Sequence, residues 1–380
     1  MIFPDWVILE VKIKGRKWWS VLRHFSCGTR IIAGAGARWE LKHLGARRVF
    51  MVTDRYFSEK GTAQDLVRGL DCQYQIFDEV QPDPSAELAA RGTKALQEFS
   101  PDLVVALGGG SPMDCAKAMV YFSGLKVPLA AIPTTSGSGA EVTDFAIVTC
   151  NGIKKPLVDP ALAPQFAILD SELLNELPRS LIADSGFDVL AHALEAAVGR
   201  NAGPITDALA AKAFRTAYAL LPLSFGGNTG VRMEVHEAST MAAMAFSQAG
   251  LGICHALSHT LGGMYHIPHG RLNAILLPAV VSANAHCAQG KYAVLAREAG
   301  FSGAAEALAV RNLKNGLVRL RRELRLPATL AEAGVKPADV RRNTATIVTN
   351  ALRDPCCQTN PAEATAQLLE EVLEEVVGRG

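Results

Sequence analysis

The chain has 380 residues, 49% apolar and 20% charged, and its 38 basic against 37 acidic side chains leave a formal net charge of +1. This length exceeds one typical domain, so two domains sharing a cleft are expected. The balanced charge gives no electrostatic reason to expect nucleic acid, and no apolar run reaches the roughly 18 residues needed to span a bilayer. Eight cysteines, at 27, 72, 115, 150, 254, 287, 356 and 357, form no Cys-x-x-Cys pair. A chain this long needs no disulfide staples, so a reduced, cytoplasmic setting is expected.

Residues 1–25 stand apart as a leader, carrying Lys12, Lys14, Arg16, Lys17 and Arg23 with Trp6, Trp18 and Trp19. The apolar run from Trp6 to Leu9 is too short for the h-region of a signal peptide. An upstream start or loosely packed extension is the plain reading. An amphipathic targeting or docking segment is the sharper one.

Residues 26–177 alternate strand-like and helix-like segments. Strands are predicted at Arg48–Thr53, Leu103–Leu107, Ala130–Ile132 and Phe166–Leu169, with helices at Ala86–Phe99 and Met113–Tyr121. That alternation implies an α/β domain with a parallel sheet. After Pro178 apolar residues recur at helical spacing through 181–198, 206–221, 231–248, 254–264, 271–285, 290–298 and 303–323, so residues 178–380 read as an all-helical domain. The cleft between the two parts is the natural active site.

Two loops in the α/β part suit phosphate and ribose. Gly108-Gly109-Gly110-Ser111-Pro112-Met113-Asp114 joins a strand to a helix, with Ser111 suited to the N-cap, Pro112 to N1 and Asp114 to a capping box. A helix N-terminus reached through glycines binds phosphate, although a tight structural turn is an equal reading of this segment alone. Thr134, Thr135 and Ser138 lie in a second loop after the next strand, and two such loops point to a dinucleotide at the carboxyl edge of the sheet. Asp54, ending the first long strand, suits an adenosine ribose and would repel a 2′-phosphate, favouring NAD over NADP; a helix N-cap serves it equally well. Gly34 and Gly36 read only as a turn.

The helical part carries metal-type residues. Asp188 and His192 sit four apart, as do His255 and His259, so each pair shares a helix face. His266 and His269 follow, the latter in a Pro-His-Gly turn. One oxygen and several imidazoles suit a divalent transition metal, and these donors alone do not choose iron over zinc. A Lewis-acidic metal is what an enzyme needs to stabilise the charge developing on an alcohol oxygen near neutral pH. His24, His43, His236 and His286 read as ordinary hydrogen-bonded residues.

From about residue 26 to the end, the chain resembles the iron-dependent (group III) alcohol dehydrogenases. Gly-Gly-Gly-Ser-Pro-Met-Asp, Pro-Thr-Thr-Ser-Gly-Ser-Gly-Ala-Glu-Val-Thr, Gly-x-Asp-x-x-x-His-x-x-Glu and Gly-x-x-His-x-x-x-His-x-x-Gly…Pro-His-Gly occur in that family's order. The resemblance implies Asp188, His192, His255 and His269 as metal ligands, with His259 as the imidazole that contacts substrate or relays the proton. It implies Gly108, Gly109, Gly110, Ser111 and Asp114 on the pyrophosphate, Thr134, Thr135 and Ser138 beside the nicotinamide, and Lys154 reaching the cofactor. Asp54 would read the ribose, and Phe246 and Cys356 would wall the substrate pocket, although Phe246 serves equally as core.

Within the family, the chain is most similar to the propanol and ethanol dehydrogenases of bacterial microcompartments. Ser258 stands where an alanine is common, a change of small expected consequence, and Ala362 stands where an arginine is frequent. The expected activity is an NAD(H)-linked dehydrogenase using ferrous iron, with zinc as the alternative metal, that interconverts a short primary alcohol and its aldehyde. A homodimer is expected, in the cytoplasm or a microcompartment, with the leader as a candidate contact to shell or enzyme partners and no nucleic-acid or membrane partner. A glycerol or polyol dehydrogenase is the nearest alternative. A dehydroquinate-synthase-like lyase stands well behind, for want of basic residues around the metal motifs, and a non-catalytic compartment protein is a further one.

Overall fold

The computed structural model describes residues 9–13, 16–20, 24–150 and 153–378. In the stretch read as a leader, strand β1 (Leu9–Ile13) pairs antiparallel with β2 (Arg16–Ser20), Leu9 opposite Ser20 and Val11 opposite Trp18. The rest of residues 1–23, and the docking role expected of them, lie outside the described residues.

The α/β part is built on six parallel strands: β3 (Arg30–Ala33), β4 (Arg48–Asp54), β5 (Gln73–Val80), β6 (Leu103–Gly108), β7 (Leu129–Pro133) and, after an antiparallel hairpin of β8 (Phe145–Cys150) and β9 (Ile153–Val158), β10 (Phe166–Leu169). Helices α1 (Arg55–Glu59), α2 (Thr62–Arg68), α3 (Ala86–Phe99) and α4 (Gly110–Ser123) cover the sheet. Val49 and Met51 pack with Leu41 and Leu66 on one face, while Phe50 and Val52 pack with Leu96 and Met119 on the other. Burial on both faces is why β4 and β6 read as unbroken apolar runs, each large side chain contributing about 1.5–3 kcal/mol.

Strands β3, β5, β8 and β9 are absent from the sequence reading. β5 is a sheet edge whose first three residues, Gln73, Tyr74 and Gln75, are exposed, so it lacks the buried run that marks its neighbours. The spatial order β3-β10-β7-β6-β4-β5 puts β5 and β6 on opposite sides of β4. The winding therefore reverses between β4 and β6, and the crevice outside their carboxyl ends is where such sheets bind ligands.

The helical part comprises α5 (Arg179–Val198), α6 (Pro204–Phe225), α7 (Arg232–Ala249), α8 (Ile253–Tyr265), α9 (His269–Glu298), α10 (Glu306–Glu323), α11 (Pro337–Leu352), α12 (Cys356–Thr359) and α13 (Ala366–Val377). The predicted helices over 271–285 and 290–298 are one 30-residue helix, α9. Gly290 does not break it, because Leu295 and Ala296 beyond are buried in the same core as Leu276 and Val280 before it. Pro278 lacks an N–H and frees the Ala274 carbonyl, which accepts from Arg321 Nη1 at 3.3 Å.

Buried bonds among the described residues tie the parts together: Ser136 Oγ to His236 Nδ1 at 3.0 Å, Thr240 Oγ1 to Glu141 Oε1 at 2.6 Å, and Arg232 Nη1 to the Leu174 carbonyl. Among the described residues, no helix is long and apolar enough to cross a membrane.

Candidate metal centre and dinucleotide cleft

Helix α5 carries Asp188 and His192 on successive turns, α8 carries His255 and His259 in the same relation, and His269 is the first residue of α9. The Pro-His-Gly stretch is thus a helix start, with Pro268 as N-cap, rather than the turn expected from the sequence. Gly270 belongs there because of space: a Cβ on it would lie 1.9 Å from the Asp184 carbonyl oxygen. Only a glycine lets the first turn of α9 come this close to α5.

Asp188 Oδ1 lies 3.7 Å from His192 Nε2, 3.6 Å from His255 Nε2 and 3.5 Å from His269 Nε2. These separations exceed hydrogen-bond length. Each is close to a single ligand–ligand edge, about 3.4 Å, for N and O ligands about 2.1 Å from one cation. Ligand atoms of Asp188, His192 and His255 lie within 4.8 Å of one another and suit a divalent metal ion, and His269 meets this group through Asp188 Oδ1. Burial opposes the Asp188 charge, but His192, His269 and His255 together pull its carboxyl well below the usual range. Burial likewise works against a charged His255, yet the carboxylates of Asp188 and Glu195 outweigh it and raise the imidazole to about 9.

A second layer orients these groups. Glu195, one turn beyond His192, is buried at 2% exposure. It accepts from His255 Nδ1 at 2.6 Å, Gly252 N at 2.9 Å and Cys254 N at 2.7 Å, fixing the imidazole and closing the open N-terminus of α8 in one contact set. Asn273 Nδ2 donates to Asp188 Oδ1 at 2.6 Å, and its own carbonyl accepts from Ser258 Oγ. Ser258, expected to be inconsequential, thus anchors the amide that holds the aspartate.

His259 does not reach Asp188. Its Nδ1 donates to Asp354 Oδ2 at 2.7 Å, and its ring lies nearly parallel to that of His269, 5.2 Å away. Asp354 also accepts from Cys356 N at 2.9 Å. Burial works against its charge, but His259 and the Cys356 N–H hold the carboxyl down at about 2. Cys356 belongs to the same cluster as His259 and Asp354. Phe246 is buried with its ring 4.4 Å from that of His192, so it backs a metal-site imidazole while belonging to the core. His266 is exposed, in the left-handed conformation (φ 54°) that ends α8, and has no part in the cluster.

The two polar loops meet at the carboxyl ends of β6 and β7. Thr134 N donates to Gly108 O at 2.9 Å. A Cβ on Gly109 would lie 3.3 Å from Thr135 Oγ1, and one on Gly110 3.2 Å from Ser138 Cβ. Helix α4 starts at Gly110, one residue before the expected Ser111 cap, and no side chain caps it. Asp114 does not complete a capping box; its Oδ2 accepts from Ile147 N at 3.1 Å and ties α4 to β8. The open N–H groups of α4 and the Cβ-free strip in front of them suit a pyrophosphate.

Asp54 does cap α1, accepting from Phe57 N at 3.2 Å, and burial raises its pKa against the Phe57 and Tyr56 N–H bonds. Lys154, on β9, pairs with Asp83 Oδ1 at 2.6 Å. Gly34 and Gly36, both at positive φ, precede a 3-10 helix (Ala37–Leu44), and the Gly36 and Arg38 N–H groups donate to Asp170 at 3.0 and 3.1 Å.

Residues 28–171 match the iron-containing alcohol dehydrogenase family, and residues 182–377 match the C-terminal part of the Fe-containing alcohol dehydrogenase family. The chain belongs to the iron-containing alcohol dehydrogenases. It is 38% identical over 367 residues to the 1-propanol dehydrogenase PduQ of Salmonella typhimurium, covering 93% of this chain and 99% of that one. An iron-containing alcohol dehydrogenase from Thermococcus thioreducens superposes with a TM-score of 0.87 at 33% identity, over 93% of this chain and 99% of that one. A sulfoacetaldehyde reductase from Bifidobacterium kashiwanohense, solved with NAD+, gives 0.86 at 26% identity, over 95% and 100% of the two chains.

This alcohol dehydrogenase has site residues that sequence reasoning missed. Asn273 and Asp354 lie 85 and 95 residues from the groups they hold, Asp188 and His259. Glu195 closes a motif visible in the sequence, but helical spacing says nothing about the three donors it meets.

Proposed function

We propose that this dehydrogenase interconverts a short primary alcohol and its aldehyde with NAD(H), through a cation held by Asp188, His192, His255 and His269. The observation that carries the proposal is the convergence of one carboxylate oxygen and three Nε2 atoms beside a fourth, carboxylate-held imidazole. Bound there, a divalent metal supplies Lewis acidity for an alcohol or aldehyde oxygen, and NAD(H) supplies the hydride equivalent. His259, fixed through Nδ1 by Asp354, is free to hold or pass a proton at Nε2. In this reading Phe246, packed on His192, and Cys356, beside His259 and Asp354, flank the place of a two- or three-carbon substrate. Gly108 to Ser111 take the pyrophosphate on the α4 N-terminus, Thr134, Thr135 and Ser138 line the nicotinamide side, and Lys154 approaches from the hairpin. The unused acceptor capacity of Asp54 favours a free ribose hydroxyl and hence NAD.

Iron is the metal we expect to be loaded, and the 1-propanol dehydrogenase relative supports propanal and 1-propanol as the first pair to test. A homodimer and residence in a microcompartment belong to the same reading. Anaerobic purification, metal quantification and NADH oxidation with propanal and acetaldehyde test it. One iron per chain with turnover abolished by chelation and restored by ferrous iron is the expected result. Tight zinc with turnover only on glycerol would replace it with a polyol dehydrogenase.

A further inference from the structure

A cavity of about 850 Å³ opens where the first turns of α5 and α9 meet the C-terminal end of α10. Five arginines line it: Arg179, Arg271, Arg321, Arg322 and Arg325. Glu332 is the one carboxylate on its wall. For a chain of formal net charge +1, this is a strong local excess of one sign. None of the proposed metal, cofactor or substrate residues lines it.

Two of the five guanidiniums are fixed by the protein. Arg271 grips Asp184 in a fork, Nε to Oδ1 at 3.1 Å and Nη2 to Oδ2 at 2.9 Å, and Arg321 is held by the Ala274 and Ile275 carbonyls at 3.3 and 3.4 Å. Arg179, Arg322 and Arg325 are exposed and have no carboxylate at ion-pair distance among the described residues. Helix polarity accounts for only part of the cluster. Arg322 lies in the last turn of α10, where the dipole favours a cation, but Arg179 opens α5, where the dipole opposes one and no side chain caps the helix. Arg325 adopts a left-handed backbone (φ 58°), a conformation unfavourable for a non-glycine residue. Phe225, Val318 and Leu326 add apolar surface to the same cavity.

Unpaired guanidiniums around one concavity repel each other until an anion with several acceptor oxygens sits among them, and their planar forks match phosphate best. The volume falls within the range of small-molecule sites, about 300–1,000 Å³. We propose that this cavity binds a phosphate-bearing small molecule of nucleotide size, its phosphates on Arg179, Arg322 and Arg325 and its organic body against Phe225. The site is independent of the dehydrogenase cleft.

The test is equilibrium binding of ATP and of tripolyphosphate to the metal-loaded protein, compared between wild type and Arg322→Ala/Arg325→Ala so that their difference isolates this cavity from the dinucleotide cleft. ATP is expected to saturate with a Kd below about 1 mM and to weaken several-fold as salt rises from about 50 to about 200 mM. Arg322→Ala/Arg325→Ala should weaken it at least about tenfold, while Arg322→Lys/Arg325→Lys, keeping charge but losing the fork, should fall between. Because these side chains are exposed and outside the metal cleft, aldehyde turnover should be unchanged, which separates failure of this site from failure of the dehydrogenase reading. Absence of saturation by about 5 mM ATP, or ATP binding unchanged in the double alanine variant, overturns the proposal. Tripolyphosphate binding as tightly as ATP overturns the part assigned to the organic body.

Discussion

Glu195→Gln is the sharpest perturbation of the metal shell, because it keeps the shape of the side chain and changes only its charge and one donor. In the wild type Oε1 accepts the Cys254 N–H and Oε2 accepts both the Gly252 N–H and His255 Nδ1–H, all between 2.6 and 2.9 Å. A glutamine offers one acceptor oxygen. Either orientation of its amide places an NH₂ against an existing N–H donor in a site where Glu195 is only 2% exposed. Leaving a buried donor unsatisfied costs about 1–3 kcal/mol. Loss of the carboxylate behind His255 also weakens its basicity and frees its ring, and such outer partners are worth about 10–100-fold in metal affinity. The two effects predict a melting temperature lower by several degrees, and metal lost to a chelator at concentrations about tenfold to a hundredfold lower than for wild type. Competition with a chromogenic chelator, read beside a thermal melt, measures both. Wild-type metal retention in Glu195→Gln would show that His255 is held by something other than this carboxylate.

Asp354→Asn keeps the size of the group that holds His259 but removes its charge. Turnover of propanal should fall about tenfold or more with metal content unchanged, and full kcat would remove Asp354 from the mechanism. Gly270→Ala forces a Cβ to within 1.9 Å of the Asp184 carbonyl, so α9 must withdraw and carry His269 with it. Metal content after dialysis should drop sharply, and a fully loaded variant would contradict the packing argument. His236, buried against Ser136, has its pKa lowered by burial from 6.5 to about 4. A depressed pKa means its contribution is present above pH 6.5 and is lost as pH falls towards 4, roughly 3 kcal/mol in all. Urea midpoints taken at several pH values should decline less steeply on acidification for His236→Gln than for wild type; parallel declines would refute the assignment.

Much of the architecture was legible because it rests on local pattern. β4 and β6 announced themselves as apolar runs buried on both faces, α3 ended at the residues its spacing predicts, and the (i, i+4) pairs on α5 and α8 share a face by helix geometry alone. The misses also share a cause. The start of α4 at Gly110, the unbroken course of α9 past Gly290 and the half-exposed edge strand β5 are decided by what packs against them, which the local sequence does not contain.

The sequence alone determined which side chains are candidates for a metal and for phosphate, and that Asp188 and His192, like His255 and His259, share a helix face, but not that His269 begins a helix. Only the tertiary structure decided that His192, His255 and His269 all come within 3.7 Å of Asp188 Oδ1, that Glu195 serves His255 and α8 together, that Asn273 and Ser258 hold Asp188, and that Asp354 holds His259. Those contacts join residues 15 to 95 positions apart. Helical and strand periodicity reaches only a few residues along the chain, and it is the packing of α5, α8, α9 and the α11–α12 corner around one core that brings them within bonding distance.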